Sequence, residues 1–199
     1  MRAKLITTVC ACGVAALVAG FAPEERALGA GIRAVYVHVS WVWAGLALAL
    51  AFAFASISVA VVGAARFVGP LDRTYGAALL YLLLGLLASF VAAYVNWGMI
   101  VWQEPRTLAV IRIVLALAFA WVVTRALGGR FRIRLAALSA VVVACVGWLY
   151  VVPRVLHPVD PVQRSSSIAM QLTFYGLTGL WLALAAVWIW PRPDDSPDD

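Results

Sequence analysis

Long apolar blocks separated by short arginine-bearing stretches dominate the chain. The blocks show neither the strict alternation of a half-buried strand nor the single stripe of a surface helix; apolar residues fill every side of the helical period. They run over about 5–22, 35–62, 77–94, 108–123, 135–152 and 168–190. Several reach the roughly 18–20 residues that a helix needs to cross a bilayer core. Within hydrocarbon only helices and closed barrels satisfy the backbone, and these blocks are too long and too uniformly apolar for barrel strands. The pattern therefore predicts an all-α fold, a polytopic bundle of six transmembrane helices. It forms one membrane domain over residues 1–190, and residues 191–199 make an acidic, proline-rich flexible tail. The first block follows Arg2 and Lys4 and ends on small residues, like a signal peptide; its length is enough to span, and it is read as a retained anchor.

Composition agrees. Of 199 residues, 65% are hydrophobic and 12% charged, whereas soluble domains are nearer half apolar and a quarter charged. The formal net charge of +6 is carried almost wholly by arginine. In a soluble protein that would suggest nucleic acid, but here the cations flank apolar blocks, where they set orientation, and no nucleic-acid partner is expected. One side collects Arg2, Lys4, Arg66, Arg73, Arg125, Arg130, Arg132, Arg134 and Arg192; the other collects Arg26, Arg33, Arg106, Arg154 and Arg164, with Arg112 about a turn into a helix. The positive-inside rule then puts both termini in the cytoplasm and the loops after spans one, three and five on the outer face of the plasma (inner) membrane. Cys10, Cys12 and Cys145 lie inside apolar blocks without metal-type spacing and read as buried structural cysteines.

Parity of crossings places three features on one face, whichever way the protein is inserted. His38 stands in Tyr36–Trp43 at the outer end of span two. His157 stands in Pro153–Pro158 just beyond span five. The loop between spans three and four reads Asn96-Trp97-Gly98-Met99-Ile100-Val101-Trp102-Gln103-Glu104-Pro105-Arg106-Thr107. Each histidine alone reads as an interfacial ring at a helix end, and the tryptophans Trp41, Trp43, Trp97 and Trp102 as an aromatic belt. The sharper reading is a pair of axial ligands to one haem iron with the tryptophans as a flat platform. Glycine at 98 permits close approach, and Pro105 fixes the loop locally. Arg33, Arg106, Arg154 and Arg164 suit carboxylates such as haem propionates, or stand as solvated loop charge. Zinc is disfavoured, since a closed site wants four protein ligands. No phosphate-binding glycine loop, nucleophile elbow or H-E-x-x-H motif is present, so no enzyme activity is expected. Spans two to six hold almost no ionisable residue at mid-depth, unlike ion-coupled transporters.

On these residues the chain resembles the haem-handling cytochrome c assembly proteins, most closely the CcmC-type haem exporter proteins. These have six spans, an external histidine before span two, a tryptophan-rich external loop (the WWD domain) between spans three and four, and a second external histidine between spans five and six. His38 and His157 match the two histidines. Trp97-Gly98, Trp102 and Glu104-Pro105-Arg106-Thr107 match the loop, although Gln103 separates Trp102 from Glu104, Glu stands where the family has Asp, and Ile100-Val101 replaces a tryptophan pair. The resemblance implies a haem-binding protein of cytochrome c maturation that holds haem b transiently at the outer face. His38 and His157 would be the axial ligands, and Trp41, Trp97, Gly98, Trp102, Glu104, Pro105 and Arg106 would lie at the haem. It further implies three partners: a membrane-tethered haem chaperone of the CcmE type, an ABC-type complex of the CcmAB type and a small single-span helper of the CcmD type. Two other readings stay open: a membrane b-type haem redox protein, which would favour histidines within the bundle, and a cofactor-free small-solute transporter.

Overall fold

The computed structural model describes residues 2–153 and 165–190. They form six helices, each long and apolar enough to cross a membrane: α1 Arg2–Gly20, α2 Ile32–Val62, α3 Val68–Trp97, α4 Pro105–Ala126, α5 Phe131–Val151 and α6 Ile168–Ile189. A 3-10 turn, Ala65–Phe67, leads into α3. Among the described residues there is no strand. The fold is an all-α, multi-pass bundle.

Each boundary has a local cause. Gly63 ends α2 and Gly98 ends α3, both in the left-handed region (φ 78° and 70°) that side chains disfavour. Pro105 opens α4 where a missing N–H leaves nothing unmade. Ser167 caps α6 by accepting from the Met170 N–H. Within the spans, Thr8, Ser58, Thr74, Thr124, Thr173 and Thr178 each donate to the carbonyl four residues back. Each of these six hydroxyls thereby keeps its proton on its own helix rather than against hydrocarbon.

The third helix begins at Val68, well before the expected 77, and so takes in Pro70, Asp72 and Arg73. Pro70 is tolerated because first-turn N–H groups have no partner within the helix. Asp72 is accommodated by ion pairs with Arg134 of α5 at 2.9 Å and Arg125 of α4 at 3.5 Å. Likewise α4 begins at Pro105 rather than 108, so Arg112 sits two turns into the helix, its guanidinium 5.9 Å from the Trp148 ring.

Central to the packing is α2, which meets α1, α3, α5 and α6. Its antiparallel partnership with α3 is the tightest, and its register runs Gly31 by Asn96, Val42 by Gly85, Gly45 by Leu82, and Phe52 by Tyr75. A Cβ added at Gly85 would stand 2.6 Å from Val42 Cγ2, and one at Gly45 2.9 Å from Leu82 Cγ. Glycine lets the backbones close to that distance, which matters in lipid, where packing replaces the hydrophobic effect. Buried hydroxyls then stitch the bundle. Tyr75 donates to the Leu117 carbonyl and Tyr81 to the Trp181 carbonyl, both at 2.9 Å. Trp181 Nε1 donates to Ser40 Oγ at 3.0 Å, and Ser139 donates to the Ala53 carbonyl.

By contrast α1 is lightly held: it buries Ala11, Ala15 and Ala19 and leaves most other residues on the surface. Cys10 and Cys12 are therefore exposed on the bundle surface, against the expectation of burial, whereas Cys145 is buried. The difference is helical phase, because both α1 cysteines fall off the alanine stripe while Cys145 falls on the inner face of α5.

Alternation of the six helices gives the bundle two ends. The chain start, the 63–67 turn and the 127–130 connection share one, and Lys4 and Thr8 of α1 meet Trp190 and Trp188 there. The 21–31 segment, the loop 98–104 and the flanks of the α5–α6 connection share the other.

Candidate functional site

His38 stands in the second turn of α2, half-buried against α3. Its Nδ1 lies 2.8 Å from the carbonyl oxygen of Gly85. A carbonyl only accepts, so the ring nitrogen facing it carries the proton, and in the neutral imidazole the lone pair falls on Nε2. This bond depends on Gly85 twice. Its carbonyl is the acceptor, and its missing side chain lets α2 approach closely enough to reach it. His38 is therefore oriented by the α2–α3 helix pair rather than by a loop.

Around it the 21–31 segment folds down onto the helix ends. Tyr36 donates to the Pro23 carbonyl and Arg33 Nε to the Ala22 carbonyl, and the Arg33 guanidinium lies 3.3 Å from Glu24. The Glu25 carboxylate accepts from the N–H groups of Ala27 and Leu28, and Asn96 Nδ2 donates to the Gly31 carbonyl. On one flank of the α2–α3 pair lies an open, almost wholly apolar groove of about 430 Å³. Ala34, Val37 and Trp41 of α2 line it together with four apolar residues of α3 between Leu84 and Val91. Ala34 and Trp41 are the residues one turn either side of His38.

The tryptophans are seated separately. Trp41 packs against Trp181 of α6 at 5.3 Å between ring centres, and this ring wall extends to Tyr81. Trp43 is 46% exposed, edge-on to Phe174. Trp97, the last residue of α3, is half-exposed beside Gly98. Trp102 is exposed, with one side resting on Phe90 at 5.2 Å. Of these tryptophans only Trp41 lines the groove beside His38; Trp97 presents open ring surface at the end of α3, and Trp102 within the loop.

Glu104 has a structural role in addition to its place in the loop. Its carboxylate, 3% exposed, caps α4 by accepting the Thr107 N–H at 2.6 Å, with Pro105 as the first helical residue. The signal was present: an acidic residue, then Pro, then Thr, before an apolar run is also a helix start. Arg106 is half-buried in the first turn of α4. The Glu104–Thr107 stretch is thus the rigid base of the loop, and Gly98–Gln103 is its projecting part.

His157, Arg154 and Arg164 fall in 154–164, outside the described residues. The described residues on either side, Val152-Pro153 and Ser165, lie at the same end of the bundle as His38. Among the described residues, no group of three or more His, Cys, Asp or Glu side chains is placed to hold a metal ion. Compared with family models and with curated proteins, the chain matches none.

Proposed function

We propose that the protein is a haem-binding membrane protein of cytochrome c maturation, of the CcmC type. It holds haem b at the histidine end of the bundle with His38 and His157 as axial ligands, and passes it to a membrane-tethered haem chaperone of the CcmE type. The observation that supports this most is the bond from His38 Nδ1 to the Gly85 carbonyl. Metal-binding histidines are typically oriented in this way, the second nitrogen donating to a backbone carbonyl while Nε2 faces the metal.

The surroundings fit a porphyrin. The groove beside His38 is apolar and bears the Trp41 ring, as a flat apolar macrocycle requires. Haem is the cargo here; its iron takes imidazole at both axial positions, which leaves no open position for oxygen chemistry and suits custody over catalysis. Trp97, Gly98 and Trp102 offer exposed ring and backbone surface through which an incoming partner meets the cargo. Glu104, Pro105 and Arg106 anchor that loop. An ABC-type complex of the CcmAB type and a CcmD-type helper complete the proposed assembly. The excess of arginine at the far end supports a plasma-membrane orientation with the histidine end outside and both termini in the cytoplasm.

The test is an absorbance spectrum of the protein purified in mild detergent with haem supplied, alongside His38→Ala and His157→Ala. A low-spin spectrum that is lost in both variants supports the reading. A colourless wild type under conditions that load a known haem protein contradicts it. A second reading, a b-type redox protein, draws support from the seating of His38 against α3 within the bundle. Mixing with apo-chaperone separates the two, since a handover protein loses its haem and a redox protein keeps it.

A further inference from the structure

The end of the bundle opposite His38 carries a feature that haem handling does not use. Its described residues hold eight cations, Arg2, Lys4, Arg66, Arg73, Arg125, Arg130, Arg132 and Arg134, and one carboxylate, Asp72. The histidine end holds four described cations and three carboxylates. Asp72 takes up Arg125 and Arg134. Of the remaining arginines, Arg66 lies in the 63–67 turn, and Arg130 and Arg132 lie at the start of α5, which meets that turn at Gly63. There the tip of the Arg132 guanidinium occupies the space a side chain at Gly63 would fill, so that the start of α5 and the turn are in contact. Arg66 projects from the 3-10 turn over the Phe67 ring at 4.8 Å, and Arg130 stands at the cap of α5. Next to them in the chain the helix ends present exposed apolar residues: Val61 and Val62 of α2, at 75% and 77% exposure, and Ile133 of α5 at 69%.

Cations beside exposed apolar residues match the layout of one kind of ligand, a phosphodiester joined to acyl chains. We propose that this junction of the turn with α5 retains an anionic phospholipid, its phosphate held by Arg66, Arg130 and Arg132 and its chains lying along Val61, Val62 and Ile133. Guanidinium forks match phosphate oxygens in pairs, which lysine does not reproduce. A soluble phosphate would use the arginines but gain nothing from the apolar residues. Orientation by positive charge alone would need neither the contact at Gly63 nor the exposed apolar residues. The inference is independent of the haem reading.

The test uses the full chain in nanodiscs containing equal phosphatidylglycerol and phosphatidylcholine, followed by native mass spectrometry of the lipids kept on release. The wild type should retain phosphatidylglycerol over phosphatidylcholine, and the triple variant Arg66→Gln, Arg130→Gln, Arg132→Gln should lower that preference by roughly tenfold. Arg26→Gln at the other end should leave it unchanged. The triple lysine variant keeps the charge and guards against a simple folding loss; it should fold as the wild type does and keep only part of the preference. Equal retention of both lipids by the wild type, or an unchanged preference in the glutamine variant, overturns the proposal. Stabilisation of the detergent-solubilised wild type by inorganic phosphate to the same degree as by phosphatidylglycerol overturns it in favour of a soluble anion.

Discussion

The two ends of the bundle are held by different physics. At the histidine end the ties run mostly from neutral side chains to backbone: His38 to Gly85, Tyr36 to Pro23, Asn96 to Gly31, with Glu25 and Glu104 accepting backbone N–H groups. At the arginine end the main tie is ionic, with Asp72 gathering α3, α4 and α5 through two guanidiniums. Bonds to backbone fix shape and tautomer, because a carbonyl offers only the acceptor role and is held in place by its helix. Ionic ties fix which helices meet but tolerate small displacements. A bundle that must place one imidazole accurately against a planar cargo needs the first kind at that end, and at the other it needs chiefly charge and cohesion.

The largest effect expected from breaking this contrast comes from Gly85→Val. The new Cβ would lie 2.6 Å from Val42 Cγ2 and 3.1 Å from the Val42 backbone nitrogen, so the helices must part. Over-packing of this kind costs about 3 kcal/mol. Thermal unfolding in detergent should show that loss, and haem uptake should fall with it, since parting the helices draws His38 away from the carbonyl at position 85. Next comes Asp72→Asn, which leaves two guanidiniums facing a neutral amide. The side chains of Asp72 and Arg134 are 18% and 20% exposed, so screening is incomplete and the expected loss is about 2 kcal/mol. Haem uptake by the folded fraction should stay at the wild-type level, and a matching loss of uptake would mean that the two ends are coupled.

Smaller still is Glu104→Ala, which removes the α4 cap at about 1 kcal/mol. Glu104→Gln keeps an oxygen for the Thr107 N–H and should restore the stability. If Glu104 acts as the loop's base, the glutamine variant also takes up haem normally; a stable glutamine variant that fails to take it up would assign the carboxylate a direct role. Smallest is Glu24→Gln. Its partner Arg33 and Glu24 itself are substantially exposed at 38% and 56%, and such pairs contribute about 0.5 kcal/mol or less. A loss as large as that of Asp72→Asn would erase the proposed difference between the ends.

Much of this was legible in the sequence for a physical reason: membrane spans advertise themselves by length and uniform apolarity, and the parity of crossings needs no side-chain detail. The six helices appear where the blocks lie. Boundaries were less legible wherever polar residues are neutralised by distant partners. Asp72 and Arg73 read as loop, because nothing local to them shows that Arg125 and Arg134 supply the missing charge. The exposed Cys10 and Cys12 were misread because burial in a bundle depends on which stripe meets a neighbour, and the buried stripe of α1 is made of Ala11, Ala15 and Ala19. At the candidate site His38 was legible as chemistry, but its acceptor was not. Gly85 lies 47 residues away in sequence and reads there as an ordinary small residue in a span. The tryptophans read as one platform because they share an end, and only packing assigns Trp41 to α6 and Trp102 to α3.

The central claim is that His38 Nε2 is an axial ligand, and chemical rescue tests it most directly. His38→Gly, which opens space for a free ring, should lose the low-spin haem spectrum, and added imidazole should restore it. A His38→Gly protein that binds haem with the wild-type spectrum before any imidazole is added would contradict the claim.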